Sequence, residues 1–422
     1  MSDYRDDRYD SYEYNRRKDD FYREQDRHYE NFRDDLEWRR QQSEKRSELA
    51  KTALGQGNVP WALHWMGGTD QATDLLRKQR SSHVSATTFA RPNLRNLMDT
   101  AIRSFRKKSF KTAQEQFSQI IKQWPNIGTA YAYRAACRYE LKKYRESISD
   151  LDQALRILPA RAVLHLDRGR AYDRLGQFAK AETDYNRAIA VDAGLITAHY
   201  RRGLLRMRSR RYDDAITDFS RVIRAKPSYL SYAYLERGRC RYYVNQLSAA
   251  SEDFSKALEL DSNNFEAWMG RARCYWAKKL WSKAVEDCGR AIQLDPTDAD
   301  VYRLRGDCRA SLKDYRRALQ DFAKSVDLAP GSDLTFYARG RLYLNLGKFP
   351  EARADIAKCI RLNTGWGTPL LLLGDTYRKE KDYMNALTNY HKAERIFKAQ
   401  GNGKMRRLAR EACENIFSVR PK

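Results

Sequence analysis

Small residues recur every 34 residues through most of this chain. One column of them contains Gly169, Gly203, Gly238, Ala272, Gly306, Gly340 and Gly374, with a single 35-residue step. Twelve residues after each lies a second small residue: Ala181, Ala215, Ala250, Ala284, Ala318, Ala352 and Ala386. Four further on comes a third column: Tyr185, Phe219, Phe254, Cys288, Phe322, Ile356 and Tyr390. So regular a period indicates stacked copies of one supersecondary unit rather than a globular catalytic domain.

Each copy predicts two helices joined by a short turn. In the third copy, apolar residues at three- and four-residue spacings predict helices over 162–175 and 179–191, with a turn at Gly176. The small residues allow the two helix axes to approach closely, and the bulky residue fills the remaining gap. Proline cannot continue a helix, so a column of prolines predicts the ends of the second helices: Pro125, Pro159, Pro227, Pro296 and Pro330.

The columns resemble those of the tetratricopeptide repeat, a 34-residue helix-turn-helix unit. Residues 302–330 show the pattern well, with Gly306, Tyr315, Ala318 and Phe322 in place. Nine copies begin near Leu94, Gly128, Ala162, Ile196, Ser231, Phe265, Ala299, Asp333 and Gly367. The resemblance implies an all-α, right-handed α-solenoid over residues 94–400, and a function in binding partners.

The remaining segments differ in composition from the repeats. Residues 1–55 are rich in Asp, Arg, Tyr and Glu, which predicts disorder or a marginal helix. Residues 56–93 contain several glycines and predict an irregular linker. Residues 401–422 predict a capping helix and tail, with Met405, Leu408, Ala412 and Ile416 on its apolar face.

Composition narrows the classes of function further. The formal net charge is +25, which favours acidic peptides, nucleic acid or anionic surfaces as partners. No apolar run is long enough for a transmembrane helix, and the first ten residues do not resemble a targeting signal. Seven cysteines without Cys-x-x-Cys pairs do not suggest an oxidising compartment. We therefore expect a cytoplasmic protein, with a nuclear location as the alternative.

The sequence contains no pattern that indicates catalysis or a cofactor. The six histidines are scattered, and neither a zinc-protease motif nor a phosphate-binding loop occurs. Four cysteines, Cys137, Cys240, Cys274 and Cys308, share one repeat column. Equivalent positions in successive repeats are too far apart to share a metal ion, so we expect buried core residues. The prediction is a non-enzymatic protein without a metal, a cofactor or a small-molecule substrate.

The resemblance implies that the first helix of each repeat lines a concave groove. Carried over to this chain, the groove interleaves arginines with aromatic residues. The predicted partner-binding residues are Arg170, Arg174, Tyr200, Arg208, Arg239, Tyr242, Tyr243, Arg273, Trp276, Arg303, Tyr337 and Arg341. Arginine binds carboxylates and phosphates bidentately, and aromatic rings stack on arginine, proline or bases. We expect most of the binding energy at Arg239, Tyr242, Arg273 and Trp276.

Three classes of binding function remain open. A protein segment, extended or helical and acidic or mixed in charge, is the leading ligand. RNA bound in the same basic groove is the first alternative, and a structural role in a large assembly is the second. The second helices are rich in aspartate, for example Asp253, Asp287 and Asp321. We expect them to give the surface alternating charge, which favours a peptide over a phosphate chain. The acidic, tyrosine-rich residues near the N-terminus are a candidate competitor for the groove.

Overall fold

Residues 91–227 and 230–419 of this computed structural model are described here, and this part of the chain is entirely α-helical apart from turns. It contains nineteen helices. The first ten are α1 (Arg91–Arg106), α2 (Phe110–Gln123), α3 (Gly128–Glu140), α4 (Tyr144–Ile157), α5 (Ala162–Arg174), α6 (Phe178–Val191), α7 (Ile196–Arg208), α8 (Tyr212–Ala225), α9 (Leu230–Tyr243) and α10 (Leu247–Leu260). The others are α11 (Phe265–Ala277), α12 (Trp281–Leu294), α13 (Ala299–Ser311), α14 (Tyr315–Leu328), α15 (Asp333–Asn345), α16 (Phe349–Leu362), α17 (Gly367–Lys379), α18 (Tyr383–Ala399) and α19 (Gly403–Val419).

The helices form nine successive pairs followed by one additional helix, as the 34-residue period predicts. Two compact units are present. Of the described residues, unit 1 comprises 91–205, 221–227 and Leu230, and unit 2 comprises 206–220 and 231–419. The predictions for residues 1–55 and 56–90 lie outside the described residues.

Within the repeats, the small residue and the bulky residue 16 positions later pack directly against each other. A Cβ added to Gly306 would lie 2.9 Å from the Phe322 ring, and one added to Gly374 would lie 2.4 Å from Tyr390. Both rings are buried. The glycine therefore sets how closely the first and second helices of a repeat pack.

One repeat of unit 2 departs from this arrangement and compensates for it. Ala272 stands where most repeats have glycine, and the residue facing it is the smaller Cys288; both are fully buried. The preceding repeat needs extra space, because the Phe254 ring would lie 2.5 Å from a Cβ on Gly270. The volumes of facing side chains are thus matched at each of these two contacts.

The helix ends follow the proline column. The second helices α2, α4, α8, α12 and α14 each end two residues before a proline, at Gln123, Ile157, Ala225, Leu294 and Leu328. In the third repeat, the predicted helices agree with α5 and α6 to within one residue at each end. The ends of these helices were therefore predictable from the sequence.

The turns inside the repeats use a left-handed residue that is seldom glycine. In the described turns, Gly176 and Gly347 have φ of 72° at this place. Six other turns have Lys or Arg there: Lys108, Lys142, Arg210, Lys279, Lys313 and Lys381, with φ between 57° and 64°. A side chain in this conformation costs about 1–2 kcal/mol, so the backbone itself gives no reason for these cations.

The last helix, α19, covers the ninth repeat. Its buried residues pack against α18 in two clusters: Met405 and Ala409 in one, and Cys413 and Ile416 in the other. The predicted apolar face was wrong at Leu408, which is 46% exposed. The stripe instead passes through Ala409 and Cys413, because small residues permit the close approach to α18.

Two glycine-to-alanine substitutions test the steric role of the small column. Gly374→Ala should lower the free energy of unfolding by about 1–3 kcal/mol, because the added methyl overlaps the pinned Tyr390 ring. Gly289→Ala, in the interior of α12, meets no atom within 4 Å and should raise it by about 0.4–1 kcal/mol. Urea unfolding followed by circular dichroism measures both. Equal effects of the two substitutions would contradict the packing argument.

Candidate partner-binding face

The predicted binding residues of unit 2 lie on its first helices, which contact one another in order. Helix α11 contacts α13, α13 contacts α15, and α15 contacts α17. Equivalent positions of neighbouring repeats come within hydrogen-bond distance, since Arg341 Nη2 lies 3.0 Å from Asp307 Oδ1, 34 residues earlier. We call the side of α9, α11, α13 and α15 that carries the predicted residues the first-helix face.

Most, though not all, of the predicted residues reach the surface. On the first-helix face and at the end of α7, partly exposed side chains are Arg208, Arg239, Tyr242, Tyr243, Arg273, Trp276, Arg303 and Tyr337, and Arg341 is exposed. In unit 1, Arg174 is partly exposed, but Arg170 and Tyr200 are each only 5% exposed. The Arg170 guanidinium lies over the Tyr139 ring at 4.4 Å and bonds Asp167. These two residues offer a ligand almost no surface.

Arg239 connects two repeats through carboxylates. Its Nη2 donates to Glu266 Oε2 at 2.8 Å, on the next first helix, and its Nη1 donates to Glu236 at 3.3 Å. Glu236 is 4% exposed, whereas the Arg239 side chain is 29% exposed. The arginine therefore keeps part of its surface open while it neutralises a buried carboxylate.

A second network surrounds Asp307. Arg303 approaches Asp300 at 3.5 Å and Asp307 at 3.3 Å, and Arg341 bonds the other oxygen of Asp307. Arg341 also lies over the Tyr337 ring at 5.9 Å, and Tyr337 contacts Trp366. The face is thus mixed in charge, and Arg239, Arg303 and Arg341 are engaged by acidic neighbours.

Aromatic rings occupy the ends of the same helices. Tyr242 and Tyr243 meet edge to face with centroids 5.8 Å apart, and Tyr243 stacks on Tyr212 at 4.8 Å. Trp276 meets Trp281 edge to face at 6.5 Å. These partly exposed rings combine a large apolar surface with restricted side-chain freedom, which suits them as binding anchors.

The main ion-pair system of the repeats was not predicted from the sequence. An arginine precedes the small residue in seven successive repeats: Arg134, Arg168, Arg202, Arg237, Arg271, Arg305 and Arg339. Arg134, Arg168, Arg237, Arg271, Arg305 and Arg339 each form a two-pronged bond with the aspartate 16 residues later, on the second helix. The constant spacing of 16 was the available signal.

These pairs overturn one expectation about the surface. Asp253, Asp287 and Asp321 are 2–4% exposed, so the second-helix aspartates do not create an alternating-sign surface. Burial raises the pKa of Asp287, and the hydrogen bonds from Arg271 oppose that rise. The same bonds raise the pKa of Arg271. Arg271 also donates to Ser255 Oγ of the preceding repeat at 3.0 Å, so this pair joins helices both within and between repeats.

The cysteine column is part of the core, as predicted. All seven cysteines are buried and reduced, and burial raises the pKa of Cys274 and Cys288 to about 12. At neutral pH both are therefore uncharged thiols of low reactivity. Among the described residues, no group of three or more His, Cys, Asp or Glu side chains is placed to hold a metal ion. No described helix is long and apolar enough to cross a membrane.

Comparison with protein families identifies the repeats. Tetratricopeptide repeat models match residues 166–229, 235–299 and 335–364. These three stretches of the chain are therefore similar to tetratricopeptide repeats. The comparison with curated proteins found no match.

Solved structures give similar helical proteins of low identity. YrrB, described as a TPR protein with an unusual peptide-binding site, is 21% identical, with 45% of this chain and 97% of YrrB covered and a TM-score of 0.42. The C-terminal part of a TPR repeat-containing protein from Cytophaga hutchinsonii is 20% identical, with 57% and 98% covered and a TM-score of 0.48. Yeast Tom70 is 13% identical, with 76% and 96% covered and a TM-score of 0.37.

Two arginines of α11, two positions apart, should behave very differently when substituted. Arg271→Ala leaves Asp287 buried without its main partner and should cost about 3–5 kcal/mol of unfolding free energy. Arg273→Ala, on the partly exposed face, should cost less than about 1 kcal/mol. Urea unfolding of both variants measures the difference. A loss at Arg273 as large as that at Arg271 would show that the face arginine is also structural.

Proposed function

We propose that this protein is a non-enzymatic scaffold that holds an extended or helical segment of a partner protein on the first-helix face of unit 2. The observation that carries the proposal is the combination of arginines and partly exposed aromatic rings on successive first helices. Arg239, Tyr242, Arg273 and Trp276 are its central residues. Tetratricopeptide repeats as a class mediate protein–protein interaction, and this coarse function agrees with the fold.

The ion pairs of the face indicate the kind of segment that would fit. Arg239 already binds Glu266, whose side chain is 27% exposed. An acidic side chain of a partner would take the place of Glu266 at the guanidinium, and a basic one would pair with the released carboxylate. A segment of mixed charge uses both halves of each pair, so we favour it over a purely acidic one.

The same carboxylates disfavour a phosphate chain on this face. Glu236, Glu266, Asp300 and Asp307 all lie among the arginines that a phosphate would approach. A nucleic acid backbone has no positive groups to pair with them, and like charges in partly buried sites repel strongly. A peptide avoids this cost by supplying its own lysines and arginines.

Aromatic anchors supply the remaining affinity and the register. Tyr242, Tyr243 and Trp276 present rings at the ends of α9 and α11, where they can cover a proline, an aliphatic side chain or an arginine of the partner. Trp, Tyr and Arg are the residue types in which binding energy is concentrated at protein interfaces. We therefore expect few anchors and many neutral contacts.

Site-specific photocrosslinking in cells tests where the partner binds. A photoreactive phenylalanine analogue replaces Tyr242 in the full chain, and a second variant carries it at Lys324, an exposed position of a second helix. The proposal expects a discrete protein adduct from position 242 that survives nuclease treatment and is absent at position 324. Equal adducts at both positions, or none at 242, would contradict the proposal.

The crosslinked segment, made as a synthetic peptide, then allows affinity to be measured. The double substitution Arg239→Gln and Arg273→Gln should weaken binding by about 2 kcal/mol or more, roughly 30-fold, because it removes the two positive charges at the centre of the face. Glutamine keeps a donor for the buried Glu236 and so limits damage to the fold. Arg290→Gln with Lys324→Gln, which removes the same charge from exposed second-helix positions, should leave affinity unchanged. Isothermal titration calorimetry measures all three proteins.

A further inference from the structure

Two successive turns of unit 2 carry dense positive charge away from the first-helix face. Residues 277–283 and 311–317 surround the turns that follow α11 and α13, and we call them the turn edge. They contain six cations and one carboxylate, Asp314: the cations are Lys278, Lys279, Lys283, Lys313, Arg316 and Arg317. All six cationic residues are exposed. The three lysines of residues 277–283 have no carboxylate within their own turn, whereas the three cations of residues 311–317 share Asp314, which Arg317 contacts at 3.5 Å.

The two turns form one continuous patch. Helices α11 and α13 contact each other and are equivalent members of adjacent repeats, so their C-terminal ends lie side by side. A lysine at a turn can reach the neighbouring repeat, since Lys278 Nζ donates to Ser248 Oγ at 3.0 Å. Residues 277–283 and 311–317 therefore lie at the same end of two neighbouring first helices, where one extended ligand can contact both.

The backbone points to a reason for the cations beyond folding. Lys279 and Lys313 occupy the left-handed position of their turns, with φ of 60° and 64°, where the next repeat has Gly347. Glycine adopts this conformation without strain. The C-terminal helix dipoles favour a cation here and offset part of the strain, but they do not account for Lys283, Arg316 and Arg317 in the following helices.

Apolar and aromatic side chains lie between the charges. Tyr315 is 36% exposed, Leu280 38% and Leu312 44%. Trp281, at the first position of α12, is partly exposed and meets the Trp276 ring in an edge-to-face arrangement. Trp281 and Tyr315 occupy equivalent positions in the two repeats, so the patch presents an aromatic ring beside each cluster of cations.

We propose that the turn edge of unit 2 binds single-stranded nucleic acid. The lysines and arginines of the two turns contact successive phosphates, and bases stack on the rings of Trp281 and Tyr315. Cations interleaved with aromatic rings are the composition that single-strand binding surfaces use. An acidic peptide would satisfy the charges but would leave the rings without flat partners. This surface adjoins the first-helix face through the contact between Trp281 and Trp276. Its cations are not part of that face, so the proposal does not depend on a peptide binding there.

Fluorescence anisotropy with labelled 20-nucleotide strands, one of RNA and one of DNA, tests this proposal on the full chain. The double substitution Lys279→Gly and Lys313→Gly removes two charges and puts glycine where the backbone accepts it best. Each phosphate contact contributes about 0.7 to the slope of log affinity against log salt. The variant should therefore bind about 25-fold more weakly at 0.1 M salt, with a slope smaller by about 1.4. Tyr315→Leu should weaken binding without changing the slope.

Three comparisons make the experiment decisive. Arg290→Gln with Lys324→Gln removes the same net charge elsewhere, and an equal loss of affinity in that control would overturn the proposal. So would the absence of binding to either strand at 0.05 M salt. A polyglutamate peptide that binds as tightly as the strands and loses the same factor in the glycine variant would identify an acidic-peptide site instead. The substitutions Arg239→Gln and Arg273→Gln should leave strand binding intact.

Discussion

The arginine–aspartate pairs that link the two helices of six repeats are the interaction on which the rest of the structure depends. Arg237, Arg271 and Arg305 each donate two hydrogen bonds of 2.7–3.0 Å to an aspartate of the second helix. The guanidinium is planar and cannot lose its proton, so the pair fixes the two helices in one relative orientation. Because Arg237 and Arg271 also donate to a serine of the preceding repeat, the interaction extends from one repeat to the next.

Charge is consequently divided between two kinds of position in unit 2. The arginines that stabilise repeats, and those of the first-helix face, are largely neutralised by nearby carboxylates such as Asp287 and Glu266. The net positive charge of the chain must therefore lie elsewhere, and the turns around Lys279 and Lys313 are one place where it is concentrated. A surface that is balanced and aromatic suits a peptide of mixed charge, whereas one that is cationic and aromatic suits a polyanion.

The fold could be predicted from the sequence because its determinants are local. The contact between Gly306 and Phe322 is encoded by a fixed spacing of 16 residues, and a proline two residues past five of the second helices marks where each of them ends. The candidate site was less predictable. Whether Arg170 is buried depends on Tyr139 of the neighbouring repeat, and whether Arg239 is free depends on Glu266 of the next one. Such partners vary from repeat to repeat, so a column carried over from a family pattern describes the position of a side chain but not its surroundings.

The burial of the second-helix aspartates could not be predicted from the sequence either. Polar residues inside a helix suggest an exposed side, and only their pairing with an arginine 16 residues earlier reveals that they are buried. Leu408 of α19 was misassigned for a related reason: an apolar residue at helical spacing is not buried when a smaller neighbour, Ala409, allows closer packing.

The matching of Phe254 with Gly270, and of Ala272 with Cys288, has a consequence for how such a chain can change over time. Repeated sequences are prone to losing or duplicating whole units. Removal of one 34-residue unit, in register, would bring Leu304 to the place of Gly270, where the Phe254 ring leaves no room for a side chain. Neighbouring repeats in this stretch are therefore not interchangeable parts, and their order is preserved by the shapes of the side chains that they share.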